Sequence, residues 1–421
     1  MDLRDDPADD PTALVARLED LYRDLHAHPE LSFQEHRTAG IVAEWLRTLG
    51  FEVQEGIGGT GVVGILTRSE QPVVLLRADM DALPVQEATG LPYASSARAL
   101  DPDGHDVPVM HACGHDMHVT CLLGAASRLA EDPSWTGTLI ALFQPAEEVV
   151  SGAAAMVADG LYTKVPRPDV VLGQHVAPLP AGFVGLRSGA AFATTDSLRV
   201  TLTGAGGHGS RPETTVDPVV MAASTVMRLQ TVVSRELAGT DTAVLTVGAL
   251  RAGTKANIIP DSAELLLNVR TYDPKVRTHV LDSIARIVAA EADASRAPVP
   301  PRIETTESAP AVVNDPDAVA RTRASLESVV GAGRVIDPGP VTASEDVGVL
   351  AGAAPAPCVF WLLGGADPAA FAGASDLQGI QAALSALPSN HSPAYAPVVR
   401  PTIDLGVASL VAAARAWLTI G

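Results

Sequence analysis

The sequence predicts an α/β protein, a main domain on a mostly parallel sheet carrying an inserted ferredoxin-like βαββαβ domain. Three observations carry this. Short, β-branched apolar runs alternate with helical stretches in the first part of the chain. The middle follows a strand, helix, strand, strand, helix, strand order. At 421 residues and 47% apolar, the chain is also long enough for two cores.

In order, "TALVARLEDLYRDLHAHPEL" and "QEHRTAGIVAEWLRTLG" show apolar residues at helical spacing, the second ending at Gly50, a C-cap signal. Three apolar runs follow, "PVVLLRADMD", "GTLIALFQPAEE" and "DVVLGQHV", separated by helical segments such as "MHVTCLLGAASRLAED". Each run stops at polar chemistry: Asp79 and Asp81, then Glu147 and Glu148, then His175. Ligands of open α/β sheets bind outside the carboxyl ends of the strands, so these side chains are expected to meet in one crevice.

The inserted domain is expected over residues 191–306: strand "SLRVTLTG", helix "VDPVVMAASTVMRLQTVVS", strands "TAVLTVGALRAG" and "AELLLNVRTYD", helix "VRTHVLDSIARIVAAEADA" and strand "PRIETTE". Residues 1–190 and 307–421 form the two parts of the main domain. The second part supplies helix "ARTRASLESVVGAG", strand "APCVFWLLGGA" and helix "TIDLGVASLVAAARAWL". The stretch "ADPAAFAGASDLQGIQAALSALPSNHSP" reads as a loop or lid.

Twenty-nine basic against 49 acidic residues give a net charge of -20, which argues against nucleic acid and membrane surfaces as partners. Three cysteines without framework spacing suit a reducing compartment. The acidic start "MDLRDDPADD" is unlike a signal peptide, and no apolar run reaches a membrane span, so a cytoplasmic location is expected.

The densest chemistry is "HACGHDMH", residues 111–118. Cys113 and His115 lie two apart before a helix and can hold one ion or two neighbouring ions, and the missing second cysteine pair favours a catalytic over a structural site. The same residues also fit a plain helix-start turn capped by Asp116 or His118, or a Cys113 nucleophile with a histidine base. Glu147 and Glu148 divide naturally into a metal ligand and a general base, their side chains pointing apart at a strand end. His175 and His391 are weak signals singly. His208 sits in the glycine-rich "GAGGHGSRP", and Asn257 and Arg270 have the donors to bind a carboxylate.

Nine stretches in order, "LHAHPELSFQE", "RADMDALPV", "MHACGHDMH", "FQPAEE", "GQHV", "GGHGSRP", "ANIIPD", "SEDVG" and "NHSPAY", resemble the metal-dependent amidohydrolases of the aminoacylase and carboxypeptidase superfamily. The branch is that of hippurate hydrolases, auxin-conjugate hydrolases and N-acyl-amino-acid amidohydrolases. The resemblance runs nearly end to end, and "HACGHD" with "PAEE" is its most specific part.

The resemblance implies two divalent ions, Mn, Zn or Co, held by Cys113, His115, Glu148, His175 and His391, with Glu147 as general base. It implies that His208, Asn257 and Arg270 contact substrate, and that Asp79, Asp81 and Asp116 stand behind the metal ligands. The implied reaction is attack of a metal-bound hydroxide on the amide of an N-acyl amino acid or small peptide. The inserted domain would act as a lid or dimerisation domain in a homodimer or higher homo-oligomer. A dipeptidase or aminopeptidase and a non-catalytic metal- or amino-acid-binding relative are the alternatives. Val347, Glu213, Leu267 and Asn268 depart from the family pattern away from every proposed ligand.

Overall fold

The computed structural model describes residues 11–374 and 377–420. The acidic start, residues 1–10, lies outside them, as do Ser375 and Asp376 of the expected loop. The chain divides into two compact units. One comprises residues up to Ala191 with Val312–Pro340 and Asp346–Gly421; the other comprises Phe192–Ala311 with Val341–Glu345.

The first unit is built on an eight-stranded sheet. At its centre Thr138–Gln144, Val73–Asp79, Val170–Pro180 and Cys358–Ala366 run parallel. The antiparallel strands Glu52–Ile57 and Gly61–Thr67 extend it on the Thr138–Gln144 side. "VVLLRAD" and "TLIALFQ" are buried at every position, because a parallel sheet has both faces covered and needs apolar residues on both. Helix His115–Glu131 packs on this sheet and against helices Pro11–Ala27 and Val399–Trp417. Leu122, Leu123, Leu18, Leu25, Val407 and Leu410 lie in the shared core.

Register brings the polar residues level. Asp79 pairs with Gln144, and Arg77 pairs with Gly173, so the two-residue continuation places His175 beside Asp79. His175 is nevertheless not at a strand terminus, which corrects the expectation. Its strand continues to Pro180 because Cys358–Ala366 pairs along that whole length, while the neighbour on the other side stops at Asp79.

The stretch expected as a loop or lid also differs. It contains a short turn of helix at Pro368–Phe371 and the helix Leu377–Ala386, whose "LQGIQAALSA" is rich in good helix formers. Among the described residues no helix is long and apolar enough to cross a membrane.

The second unit is a four-stranded antiparallel sheet in the order Ala243–Ala252, Ser262–Thr271, Thr195–Thr203, Arg302–Ala309. With helices Pro218–Thr231 and Pro274–Ala294 between the strands, this is the ferredoxin-like βαββαβ arrangement. Ser262–Thr271 alternates buried and partly buried residues, as a strand with one covered face must. Leu265, Leu267 and Val269 pack with Val280, Ile284 and Ile287 of the second helix. Both helices begin at an Asp-Pro step: Asp217 accepts the Val219 amide at 2.8 Å and Asp273 the Lys275 amide at 2.6 Å.

Candidate active site

Helix His115–Glu131 starts from Gly114, whose φ of 87° lies in the left-handed region. Gly114 has no side chain to cap this start, but Asp116 Oδ1 accepts the first-turn amide of Met117 at 2.9 Å, while the ring of His118, the other capping candidate, makes only longer-range bonds. The turn presents Cys113 and His115, both buried, at the carboxyl ends of the parallel strands.

Ring hydrogen bonds fix which nitrogen each histidine offers. His115 donates from Nδ1 to Asp81 at 3.2 Å, leaving Nε2 buried and without a partner. His175 donates from Nδ1 to the Val176 carbonyl at 2.8 Å, and its Nε2 stands 3.5 Å from Cys113 Sγ. His118 has no free nitrogen: Nε2 accepts the Val176 amide at 2.7 Å and Nδ1 donates to Asp79. Its ring is near those of His115 and His175, yet it holds backbone and carboxylate instead of offering a ligand atom.

Glu147 and Glu148 lie not at the strand end but on the turn after it, beyond Ala146 (φ 50°) and before Val150 (φ 52°). Their side chains do not point apart as expected from strand pleating: the turn brings both toward His115. Asp81 accepts the amides of Glu147 at 3.1 Å and Glu148 at 3.0 Å, and the Ser32 hydroxyl at 2.7 Å. Glu147 Oε2 lies 3.9 Å and Glu148 Oε1 3.7 Å from His115 Nε2. Like that nitrogen, Glu148 Oε1 is buried without a hydrogen-bond partner.

His391 reaches the group from a loop. Its Nε2 is 3.2 Å from Glu148 Oε2, and its φ of 72° is a left-handed conformation uncommon outside glycine. Asn390, which sequence reasoning passed over, holds this loop by donating to the carbonyls of Cys113 at 3.0 Å and Val176 at 3.2 Å.

Cys113, His115, Glu148, His175 and His391 thus fall in three overlapping sets whose atoms lie within 4.8 Å of one another: Cys113, Glu148 and His391; His115, Glu147 and Glu148; and Asp79, His115, His118 and His175, with His175 Nε2 also 3.5 Å from Cys113 Sγ. Sulfur, imidazole and carboxylate donors with two orphaned buried atoms facing each other fit divalent cations. Burial would lower His115, but the charges of Asp79 and Glu148 and the bond to Asp81 hold it up at about 10, the mark of a site arranged around positive charge. Burial and the Glu148 and Glu147 carboxylates push the Cys113 thiol well up, which makes it a poor free nucleophile.

A second ring of buried groups supports the first. Arg77 donates to Asp79 at 2.7 Å, Gln144 at 2.9 Å and Asp346 at 3.2 Å, and Asp346 also accepts the Ala153 amide at 2.9 Å. Burial alone would raise Asp79, but Arg77 and the two histidines hold it well below the usual carboxylate range. Asp116 stands back from the donor atoms, pairing with His26 Nδ1 at 2.7 Å, while His26 Nε2 meets Glu87 at 3.1 Å. "LHAHPE" and "SEDVG" contain His26 and Asp346, but neither motif reveals its partner.

His208, Asn257 and Arg270 belong to the other compact unit. His208 pairs with Ile258, and its Nδ1 accepts the Ser210 amide at 3.2 Å, so its hydrogen sits on the exposed Nε2 as a donor. The Asn257 carbonyl accepts the Gly209 amide at 2.9 Å, which ties the two loops together. Arg270 is elsewhere. It follows Ser262 by eight positions along its strand, a rise of roughly 27 Å, so this unit does not gather the three residues. Arg270 Nε donates to Asn268 at 3.0 Å and its buried Nη1 has no partner.

The fold and the site define a metal-dependent hydrolase of amide bonds. The model of peptidase family M20/M25/M40 matches residues 75–377, and the chain belongs to that family. It is 39% identical over 338 residues to a hippurate hydrolase of Campylobacter jejuni, covering 80% of this chain and 85% of that one. It is 36% identical over 345 residues to an N-acetyl-L-cysteine deacetylase of Bacillus subtilis, covering 80% and 77%. Among solved structures, the YXEP protein of Bacillus subtilis, a dinuclear metal binding peptidase from the M20 family, superposes with a TM-score of 0.72 at 27% identity, covering 96% and 98%.

Proposed function

We propose that this enzyme hydrolyses N-acyl amino acids to a carboxylic acid and a free amino acid. The observation that carries the reading is one turn bearing two glutamates against the same unpartnered His115 nitrogen, at 3.9 and 3.7 Å. Two divalent ions, Mn, Zn or Co, held by Cys113, His115, Glu148, His175 and His391, would lower the pKa of water and polarise the scissile carbonyl.

Glu147, beside that position and not needed as a ligand, takes the proton from the attacking water and returns it to the leaving nitrogen. Asp79 and Asp81 keep His118 and His115 oriented. His208 Nε2–H is a donor for the oxyanion that forms, a contribution of roughly 10²–10³ in rate. Arg270 and Asn257 are donors for the substrate carboxylate.

Because Arg270 and the His208–Asn257 loops stand far apart on their unit, a substrate touching all three takes them from two copies. A homodimer supplies these, and the outer strand Ala243–Ala252, with Val244 and Leu250 exposed, is the edge offered for pairing. Three buried cysteines, none of them in a disulfide, suit a cytoplasmic enzyme.

The test is a panel of N-acyl amino acids and dipeptides assayed with metal-depleted and metal-reconstituted protein. Free amino acid released from the acyl substrates only after reconstitution supports the reading. Release of nothing by folded, metal-loaded protein overturns it, and faster turnover of dipeptides reassigns the substrate class. Chelation should abolish turnover and added Mn, Zn or Co restore it; a chelator-insensitive, alkylation-sensitive activity would return the reaction to a Cys113 nucleophile.

A further inference from the structure

Glu35 is the first residue before helix His36–Thr48, and its side chain makes no capping bond to that helix. Its side chain is fully buried and turned toward another segment. Oε1 accepts the amide of Ala146 at 2.8 Å and that of Phe33 at 2.9 Å, and Oε2 accepts the Thr60 hydroxyl. The two residues whose amides it takes, Phe33 (φ 62°) and Ala146 (φ 50°), both occupy the left-handed region that costs a side-chain-bearing residue energy.

Asp81 accepts the next two amides, those of Glu147 and Glu148. Three consecutive amides of the glutamate-bearing turn therefore point into two buried carboxylates. Burying a second negative charge near Asp81 is costly: burial and the Asp81 charge raise Glu35 to about 7. Such a group is retained where its hydrogen bonds fix a geometry that a residue without an acceptor would not.

We propose that Glu35 is a positioning residue for the Glu147–Glu148 turn, holding Ala146 in its left-handed conformation so that both glutamates face His115 Nε2. The inference rests on the roles given to Glu147 and Glu148 above. It extends them to a residue 111 positions earlier in the chain, which touches neither substrate nor ligand.

The test compares the parent, Glu35→Leu, which removes the acceptor, Glu35→Gln, which keeps one, Ala146→Gly and the Glu35→Leu/Ala146→Gly double variant. Glycine takes a positive φ without a Cβ penalty, so it relieves the need for the bond. Glu35→Leu is expected to lower kcat roughly 10- to 100-fold with KM within about threefold, while Glu35→Gln, whose amide oxygen still accepts the Ala146 amide, stays within about threefold of the parent. Ala146→Gly should be nearly silent alone and should recover most of the loss in the double variant.

In the metal-free protein, hydrogen exchange should quicken at Ala146–Glu148 in Glu35→Leu and stay unchanged in strand Thr138–Gln144. A folded Glu35→Leu with parental kcat and exchange overturns the proposal, as does a loss that Ala146→Gly leaves untouched. If Glu35→Leu does not fold, Glu35→Asp, shorter by one methylene, undergoes the same comparison. An inactive reconstituted parent would instead count against the functional reading, while the exchange experiment still decides the role of Glu35.

Discussion

Asp81 receives the Nδ1 hydrogen of His115 at 3.2 Å with the same oxygen that takes the Glu147 amide at 3.1 Å. One buried carboxylate thereby sets both the tautomer of a candidate ligand and the place of the candidate base. Asp81→Asn, which can present a donor to His115 in place of an acceptor, is expected to weaken metal binding about 10- to 100-fold. Titration of the metal-free variant with Mn, Zn or Co measures this; parental affinity would remove Asp81 from that role.

Glu147→Gln keeps the shape and the backbone bonds of the turn and removes the proton acceptor. Metal content should stay at the parental level, while kcat falls by at least about 10²-fold. Metal analysis alongside steady-state kinetics separates the two effects, and retained turnover would take the base assignment from Glu147.

His26 lies between Asp116 and Glu87 with no exposed surface. Burial lowers its pKa, but the bonds to the two carboxylates outweigh this and raise it from 6.5 to about 10. A raised pKa means that the folded state holds the proton more tightly than the unfolded one. The stabilisation is complete below about pH 6.5 and is lost as pH rises through 10. Between these limits the Tm of the metal-free parent should fall more steeply than that of His26→Gln. Parallel pH profiles would show that the clamp carries no linked proton.

At Gly114, φ is 87° and an added Cβ would lie 2.5 Å from Val176 Cγ1. Gly114→Ala combines a left-handed penalty with overpacking and should destabilise the fold by about 2–4 kcal/mol. Denaturant unfolding of the metal-free variant gives the value, and a change below about 1 kcal/mol would mean that the Cys113–His115 turn yields easily.

The α/β class and the ferredoxin-like insert were legible because each rests on local signals: apolar runs at Val73–Asp79 and Thr138–Gln144 alternating with helical stretches, and the strand and helix order of the middle of the chain. The donor set was legible in part from spacing, since Cys113 and His115 are two apart and Glu147 and Glu148 adjacent; His391 took its meaning from the resemblance. His175 was misplaced at a strand end because a strand's length depends on its neighbour, which here is Cys358–Ala366 from near the end of the chain.

The sequence by itself determined most of the elements and which side chains have the donor atoms to serve as metal ligands, since periodicity, turn residues and donor type are written locally. Only the tertiary structure decided what each buried polar group is bonded to: Glu35 to Ala146, Arg77 to Asp346 across 269 positions, and Asn390 to Cys113 across 277. It also decided that His118, within reach of the same site, has both nitrogens engaged. The physical reason is that a buried polar group must find a hydrogen-bond partner, and which group stands within 3 Å of it is set by register and packing between distant segments.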